Sequence, residues 1–211
     1  MDLDFKLLER WRSGDRDAAD QLFDRHFTSL FVFLRNKTWG DPARLMDDTF
    51  LACRDAKVSR RRLSSFRTYM FVAATAALYD ELEQTWRMGA PLDPLVHSVI
   101  QCGLPGAVVA APHPSRYLVL EAMRRLPLRD QIGLELHFWE QLDRRELAEV
   151  LDVPRTSVPR WLRGALDKLY CTVEDIAPNT NVLVATLESL AKWAQAARDD
   201  LINVPHAAPD A

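Results

Sequence analysis

The residues with the clearest chemical potential are Arg155, Thr156, Ser157, Arg160 and Arg163. Their spacing puts cations and hydroxyls on one side of a helix and at its mouth. Arginine forks grip phosphates or guanine edges, and hydroxyls at a helix N-terminus suit an anion. A second run, Lys57 to Arg62 (KVSRRR), is the sharpest charge concentration in the chain. It reads either as a solvated loop or as a grip on a nucleic-acid backbone. The paired acids Asp47 and Asp48 could suggest acid–base catalysis. No histidine, second carboxylate pair or Gly-rich loop accompanies them, so an acidic face turned to solvent or to a partner is the better reading. Cys53, Cys102 and Cys171 are far apart and lack zinc-ligand spacing, which leaves no metal or cofactor to expect; all three read as buried thiols.

The elements that must position the first set lie between Glu121 and Leu169. Asp143 can cap a helix, with Glu146 three residues on completing a capping box. Leu147, Val150 and Leu151 give that helix one apolar side, and Ala148 lets a neighbour approach. Asp152 sits in a three-residue corner where a left-handed conformation is expected, which Asp tolerates. Val158, Leu162, Ala165 and Leu169 then recur at helical spacing. With Thr156 as N-cap, Pro159 falls in the first turn, where its missing N–H costs nothing. The second helix is therefore expected over 157–170. The pattern is a helix-turn-helix, and the basic face is the side that would enter a major groove.

Composition bounds the rest. The chain has 211 residues, 48% hydrophobic and 27% charged, with a net charge of −3. An acidic balance excludes a uniformly basic coat, so nucleic acid would have to be held by local patches. Few β-branched clusters and many leucines, alanines and arginines predict an all-α fold. The odd cysteine count fits a reducing compartment. The opening MDLDFKLLERW does not read as a signal peptide, and no apolar run is long enough to span a membrane. A soluble cytoplasmic protein without membrane insertion is the expectation.

In chain order, a helix is expected over 3–12, with Leu3, Phe5, Leu8 and Trp11 on its apolar side. Asp15 caps the next, an aromatic-rich helix in which His26 reads as a boundary residue. A third helix runs from about Pro42 to Ala56. Ser64 or Ser65 caps a fourth that reaches about Trp86 and, being apolar on a broad surface, should pack centrally. Residues 88–116 are rich in proline and small apolar residues and read as a linker that partly docks. Short helices over 121–125 and 129–140 precede the helix-turn-helix. From Val182 to Ile202 a leucine and alanine stripe marks an amphipathic helix; residues 205–211 read as a disordered end.

Two separated pieces resemble one family. SGDRDAADQLFDRHFTSLFVFLR, DDTFLACRD and SSFRTYMFVAATAALYDEL are similar to region two of a bacterial RNA polymerase sigma factor of the sigma-70 family, extracytoplasmic-function (ECF) type. AMRRLPLRDQIGLELHFWEQLDRRELAEVLDVPRTSVPRWLRGALDKL resembles region four of the same family. The resemblance implies two small helical domains, 1–87 and 117–174, joined by a linker over 88–116 and followed by a C-terminal extension over 175–211. It implies a non-catalytic subunit that directs core RNA polymerase to promoter DNA through −35 and −10 elements, with an anti-sigma factor as a further candidate partner. Arg155, Thr156, Ser157, Arg160 and Arg163 match the −35 reading helix. Arg60, Arg61, Arg62, Ser65 and Arg67 fall in the stretch that holds the opened −10 strand. Leu45, Asp47, Asp48 and Phe50 match the segment that binds the largest polymerase subunit.

The chain also departs from the family. Thr75-Ala76 stand where Arg-Asn is usual, and Glu83 and Gln84 where basic residues are usual. Groups that would hold a flipped base are therefore missing, and the Arg60–Arg62 run is the candidate replacement. These departures favour an alternative, a sigma-like helix-turn-helix regulator that does not open promoters. A helical enzyme is the rival of a different class; no nucleophile–base pair, phosphate loop or metal cluster supports it. The tail helix has two readings: it completes the core of the second domain, or it folds back as a restraint on DNA binding.

Overall fold

The structure, a computed structural model, describes residues 2–38, 42–55, 63–86, 89–104, 114–188, 190 and 192. The fold is all-α: among the described residues there are α-helices and one 3₁₀ turn, and no strand. The Arg60, Arg61 and Arg62 run lies outside the described residues, as do Trp193 to Ala211 of the tail.

The first half is built from α1 (Leu3–Arg12), α2 (Arg16–Arg35), α3 (Ala43–Arg54) and α4 (Phe66–Thr85). In α1 the core face is Asp4, Leu7 and Leu8, whereas Leu3 is exposed. The helix is turned from the expected side because Asp4 is drawn inward. Its carboxylate meets His26 Nε2 at 2.8 Å and Arg25 Nε at 2.8 Å. His26 is thus a buried partner of an acid rather than a boundary residue. Asp15 caps α2 by accepting from the Ala18 N–H at 3.1 Å, and Ser65 caps α4 by accepting from Thr68 N–H at 3.1 Å. Both satisfy donors that a helix start leaves without partners.

Helix α4 is the central element. Tyr69, Met70 and Ala73 and, on other sides, Phe71, Thr75, Leu78 and Leu82 are all buried. It packs on α3 and α2 and also on α7 (Arg144–Val150) of the second half. A helix apolar on most of its sides belongs inside a core, and this one explains why the two halves share one: the cluster containing Phe66, Phe71 and Leu78 also contains Ile132, Leu136, Leu147 and Val158.

The second half comprises α5 (Pro114–Arg125), α6 (Leu128–Phe138), α7, a 3₁₀ turn η1 (Arg155–Ser157), α8 (Val158–Ile176) and α9 (Thr180–Glu188). Helix α5 begins at Pro114, well before Glu121; proline at a first helical position forfeits no bond. Part of the proline-rich connection docks, as its apolar composition predicts. Val99, Cys102 and Leu104 are buried in the shared core. The carbonyls of His97 and Pro94 accept from Leu128 N–H at 2.8 Å and Arg129 N–H at 3.0 Å. Helix α6 follows Pro127, which has no side-chain acceptor, so the connection itself supplies its N-terminal partners.

A buried charged joint ties the halves. Lys37 and Glu135 form an ion pair with both side chains almost wholly inaccessible. Asn36 Nδ2 and Gln131 Nε2 each donate to Glu135 Oε1 at 2.8 Å. Burial pulls the Lys37 ammonium below the ordinary lysine range, and the Glu135 carboxylate opposes that pull.

Of the tail, α9 packs on α5 and α8, with Thr186 and Leu190 buried and Leu183 and Leu187 lying against that core. Asn179 Oδ1 caps it by accepting from Val182 N–H at 3.0 Å. The described part of the tail helix therefore completes the core of the second half. Cys53 and Cys102 are buried, and burial pushes the Cys53 thiol up to about 12. Cys171 is exposed, against expectation, because it sits opposite the Leu169–Val173 stripe of α8.

Candidate nucleic-acid interface

Helix α7 is seated by the expected capping box. Asp143 Oδ1 accepts from Glu146 N–H at 2.9 Å, and Glu146 Oε2 accepts from Asp143 N–H at 3.0 Å. The Asp143 carboxyl is held below its ordinary range, chiefly by the Glu146 N–H, with the charges of Arg155 and Arg145 adding to the effect. The corner turns at Asp152 with φ 50°, the left-handed conformation expected there.

Helix α8 starts slightly differently from the expectation. Arg155, Thr156 and Ser157 form the 3₁₀ turn, Ser157 rather than Thr156 precedes the first helical residue, and Pro159 lies in the first turn. The helix also runs on to Ile176, past Tyr170, because Val173 continues the buried stripe of Val158, Ala165 and Leu169. Arg155, Thr156, Ser157, Arg160 and Arg163 are all exposed on the other side. The structure thus brings this set together on one open surface.

What fixes that surface is a contact the sequence reading missed. Trp161 Nε1 donates to Asp130 Oδ1 at 2.9 Å, and Lys168 Nζ to Asp130 Oδ2 at 2.6 Å. Asp130 is buried in α6 and so pins α8 at two points on one face, about two turns apart. The Trp161 ring lies over Gly133: a Cβ there would stand 2.1 Å from Trp161 Cη2. Gly133 in mid-helix, where glycine is unfavourable, was the available signal.

The described members of the second set, Ser65 and Arg67, are placed very differently. Ser65 Oγ donates to Glu146 Oε1 at 3.3 Å. The neighbouring Ser64 donates through its N–H at 2.8 Å and its Oγ at 2.7 Å to Glu149 Oε2. Arg67 donates to the carbonyl of Glu140. All these acceptors lie on α7 or just before it. Two carboxylates thus lean over the N-terminus of α4, where backbone N–H groups favour negative charge. Thr75 of the same helix is buried and Ala76 is exposed.

In the third set Asp47 and Asp48 face solvent, while Leu45 and Phe50 are core residues. Phe50 still lines a shallow cleft of about 270 Å³ with Trp11, Phe23, Asp47 and Leu51. Asp48 also borders a groove of about 480 Å³ between α3 and α4, with Asp55, Asp80 and Glu81. Arg44 crosses it to pair with Asp48 and Glu81.

Among the described residues no group of histidines, cysteines and carboxylates is arranged to hold a metal, and no helix is long and apolar enough to cross a membrane. No curated protein and no solved structure matches the chain. Residues 116–169, which span α5 to most of α8, match the family model described as Sigma-70, region 4. The match covers about a quarter of the chain, and the matched model is that of a DNA-binding module.

Proposed function

We propose that the protein is a sigma factor of the ECF type, which joins core RNA polymerase and directs it to promoters. The observation that carries this reading is the exposed Arg155, Thr156, Ser157, Arg160 and Arg163 surface on a capped helix-turn-helix within the region 4 match. The arginines and hydroxyls would read the −35 element from the mouth and first turns of α8. Asp47 and Asp48, exposed on α3, would meet a basic surface of the polymerase largest subunit, where complementary charge steers docking. Arg60, Arg61 and Arg62 are the proposed grip on the −10 strand together with Ser65 and Arg67. The protein would act in the cytoplasm, and an anti-sigma factor is a proposed regulator.

A second reading is favoured by a particular observation. Ser64, Ser65 and Arg67 are committed to the second half, and the helix they open carries a buried Thr75 and an Ala76. A regulator that binds duplex DNA without opening it would look like this. Capture of core polymerase from a bacterial lysate by tagged full-length protein in moderate salt separates the two. Stoichiometric recovery of the large polymerase subunits is the expected result. Duplex binding without that recovery would move the assignment to the regulator.

A further inference from the structure

Two glycines lie inside helices among the described residues, and their surroundings differ. Gly133 of α6 lies under the Trp161 ring, so the fold itself requires it. Gly164 sits in the middle of α8, and a Cβ built on it would meet nothing within 4 Å. Glycine in a helix interior is less favourable than alanine, because it leaves the unfolded chain more freedom to lose. No described neighbour of Gly164 offsets that cost. The demand for a missing side chain therefore comes from outside the chain, from something that approaches the helix backbone closely.

The charges around Gly164 point to a polyanion. Gly164 is exposed, four residues after Arg160 and one after Arg163, and it shares a face with Ser157. Between Val153 and Arg163 the charged residues are Arg155, Arg160 and Arg163, all exposed cations. Beyond Gly164 the sign reverses. Asp167, Glu174 and Asp175 are exposed acids, and Lys168, the one cation of residues 165–176, is held by Asp130. A polyanion is drawn to the start of this helix and repelled from the rest. It must leave the helix where the sign changes, and the glycine stands at that point.

We infer that the sugar–phosphate backbone of one strand of duplex DNA crosses α8 over Gly164, in contact with the helix backbone. Arg160 and Arg163 lie on its phosphates, and Asp167 marks the side it cannot reach. This rests on the DNA-reading assignment above and deepens it: η1 and about the first two turns of α8 make all of this helix's contact with the duplex. Gly164 is then a positioning residue. It sets how closely α8 sits against the strand, and so how far Arg155, Thr156 and Ser157 reach into the groove.

The test uses the full chain and a fluorescent random-sequence duplex at low salt, read by anisotropy, with the melting temperature of each variant measured alongside. Gly164→Ala and Gly164→Leu are compared with wild type, and Cys171→Leu is the control. Cys171 is exposed on the same face of α8, seven residues on and within the acidic part. Both Gly164 variants gain helix propensity, and the free protein has room for the Cβ, so they should melt at or about 2 °C above wild type. Duplex affinity should move the other way, falling about fivefold for alanine and more than about tenfold for leucine, the effect of overpacking a close contact. Cys171→Leu should bind as wild type does. The opposed signs are the signature, because a glycine without a function would give firmer folding and equal binding. Unchanged affinity in Gly164→Leu overturns the crossing. Equal losses in Gly164→Leu and Cys171→Leu also overturn it, since the strand would then run along the helix and not across it. Wild-type protein that binds no duplex overturns the DNA-reading assignment itself, and the crossing with it.

Discussion

The two sets of residues expected to touch DNA have opposite fates in one molecule. Those around α8 stand free on a surface whose far side is anchored by Asp130, Trp161 and Lys168. The described members at the start of α4, Ser65 and Arg67, are spent on contacts with α7 and the residues just before it. The difference follows from the helices that carry them. Helix α8 is amphipathic, with one buried stripe and one polar face, so its charges have nowhere to go but solvent. Helix α4 is apolar on nearly every side and must be covered by both halves. Its polar start is then drawn against whatever covers it. An exposed site is inherited from a one-sided helix, and a covered site from a helix that both halves need.

The strongest way to break this contrast is to break the joint that holds the halves. Lys37→Met leaves the buried Glu135 carboxylate beside Asn36 and Gln131 without its ion-pair partner, with Arg124 as the remaining nearby cation. The expected loss is about 3 kcal/mol of stability by urea unfolding, the lower end of the cost of removing one partner of a buried ion pair. Lys37→Met with Glu135→Gln should recover much of it, because the neutral amide still accepts from Asn36 and Gln131. Equal losses in the single and double variants would show that the joint acts through packing and not charge. Gly133→Ala attacks the other side of the comparison. The new methyl cannot coexist with the Trp161 ring, so α8 must shift or Trp161 must leave Asp130. About 1–3 kcal/mol of stability should be lost through overpacking, along with duplex binding. Trp161→Leu in the same background should restore stability, as read by thermal melting.

The sequence carried more of the open site than of the covered one, and the reason is the range of the interactions. The capping box at Asp143 and Glu146, the corner at Asp152 and the stripe from Val158 to Leu169 are local, each fixed by residues within a turn or two. They could be placed without knowing the fold. The role of Glu149 could not: its partner Ser64 is 85 positions away, and a solvated acid on an exposed helix face looks the same in sequence. The same holds for Lys37 and Glu135, 98 positions apart, and for Asp4 with His26, which turned α1 away from its expected face. The ends of α5 and α8 also differ from the periodic expectation, because Pro114 starts the first helix early and Val173 carries the second on. The central packing of α4 was legible from its composition; which second surface covers it was not.

Sharper, and smaller in effect on the fold, are substitutions on the open surface. Arg160→Ala and Arg163→Ala should leave stability within about 0.5 kcal/mol of wild type, as exposed positions do. Each should weaken duplex binding and reduce the salt dependence of affinity by about one unit of slope if it meets a phosphate. A base-reading arginine would instead cost about 1–3 kcal/mol and relax sequence preference. Anisotropy titrations over a range of salt concentrations distinguish these outcomes. Neither variant should alter the binding of single strand, which we propose for the start of α4.

The smallest expected effect on DNA binding is at Asp143, which seats the helix that supports α8. Asp143→Ala removes an acceptor for two N–H groups and should cost about 1 kcal/mol, while Asp143→Asn, which keeps an acceptor, should cost less. The charge adds a pH signature. The folded-state pKa of Asp143 lies below its ordinary value, chiefly through the Glu146 N–H, so its ionised form contributes fully above the unfolded carboxylate pKa of about 4. That contribution is lost as pH falls through the depressed folded value. The gap between wild type and Asp143→Asn should therefore be constant near neutrality and close on acidification. A gap that persists to the acid limb of the unfolding curve would mean that the amide fails as an acceptor there, and that geometry rather than charge makes the cap. Because Arg155 lies within the field of the same carboxylate, the variant should also show whether the cap helps to hold the first residue of the reading surface: if it does, Asp143→Asn weakens duplex binding slightly at neutral pH, and if it does not, binding is unchanged while stability falls.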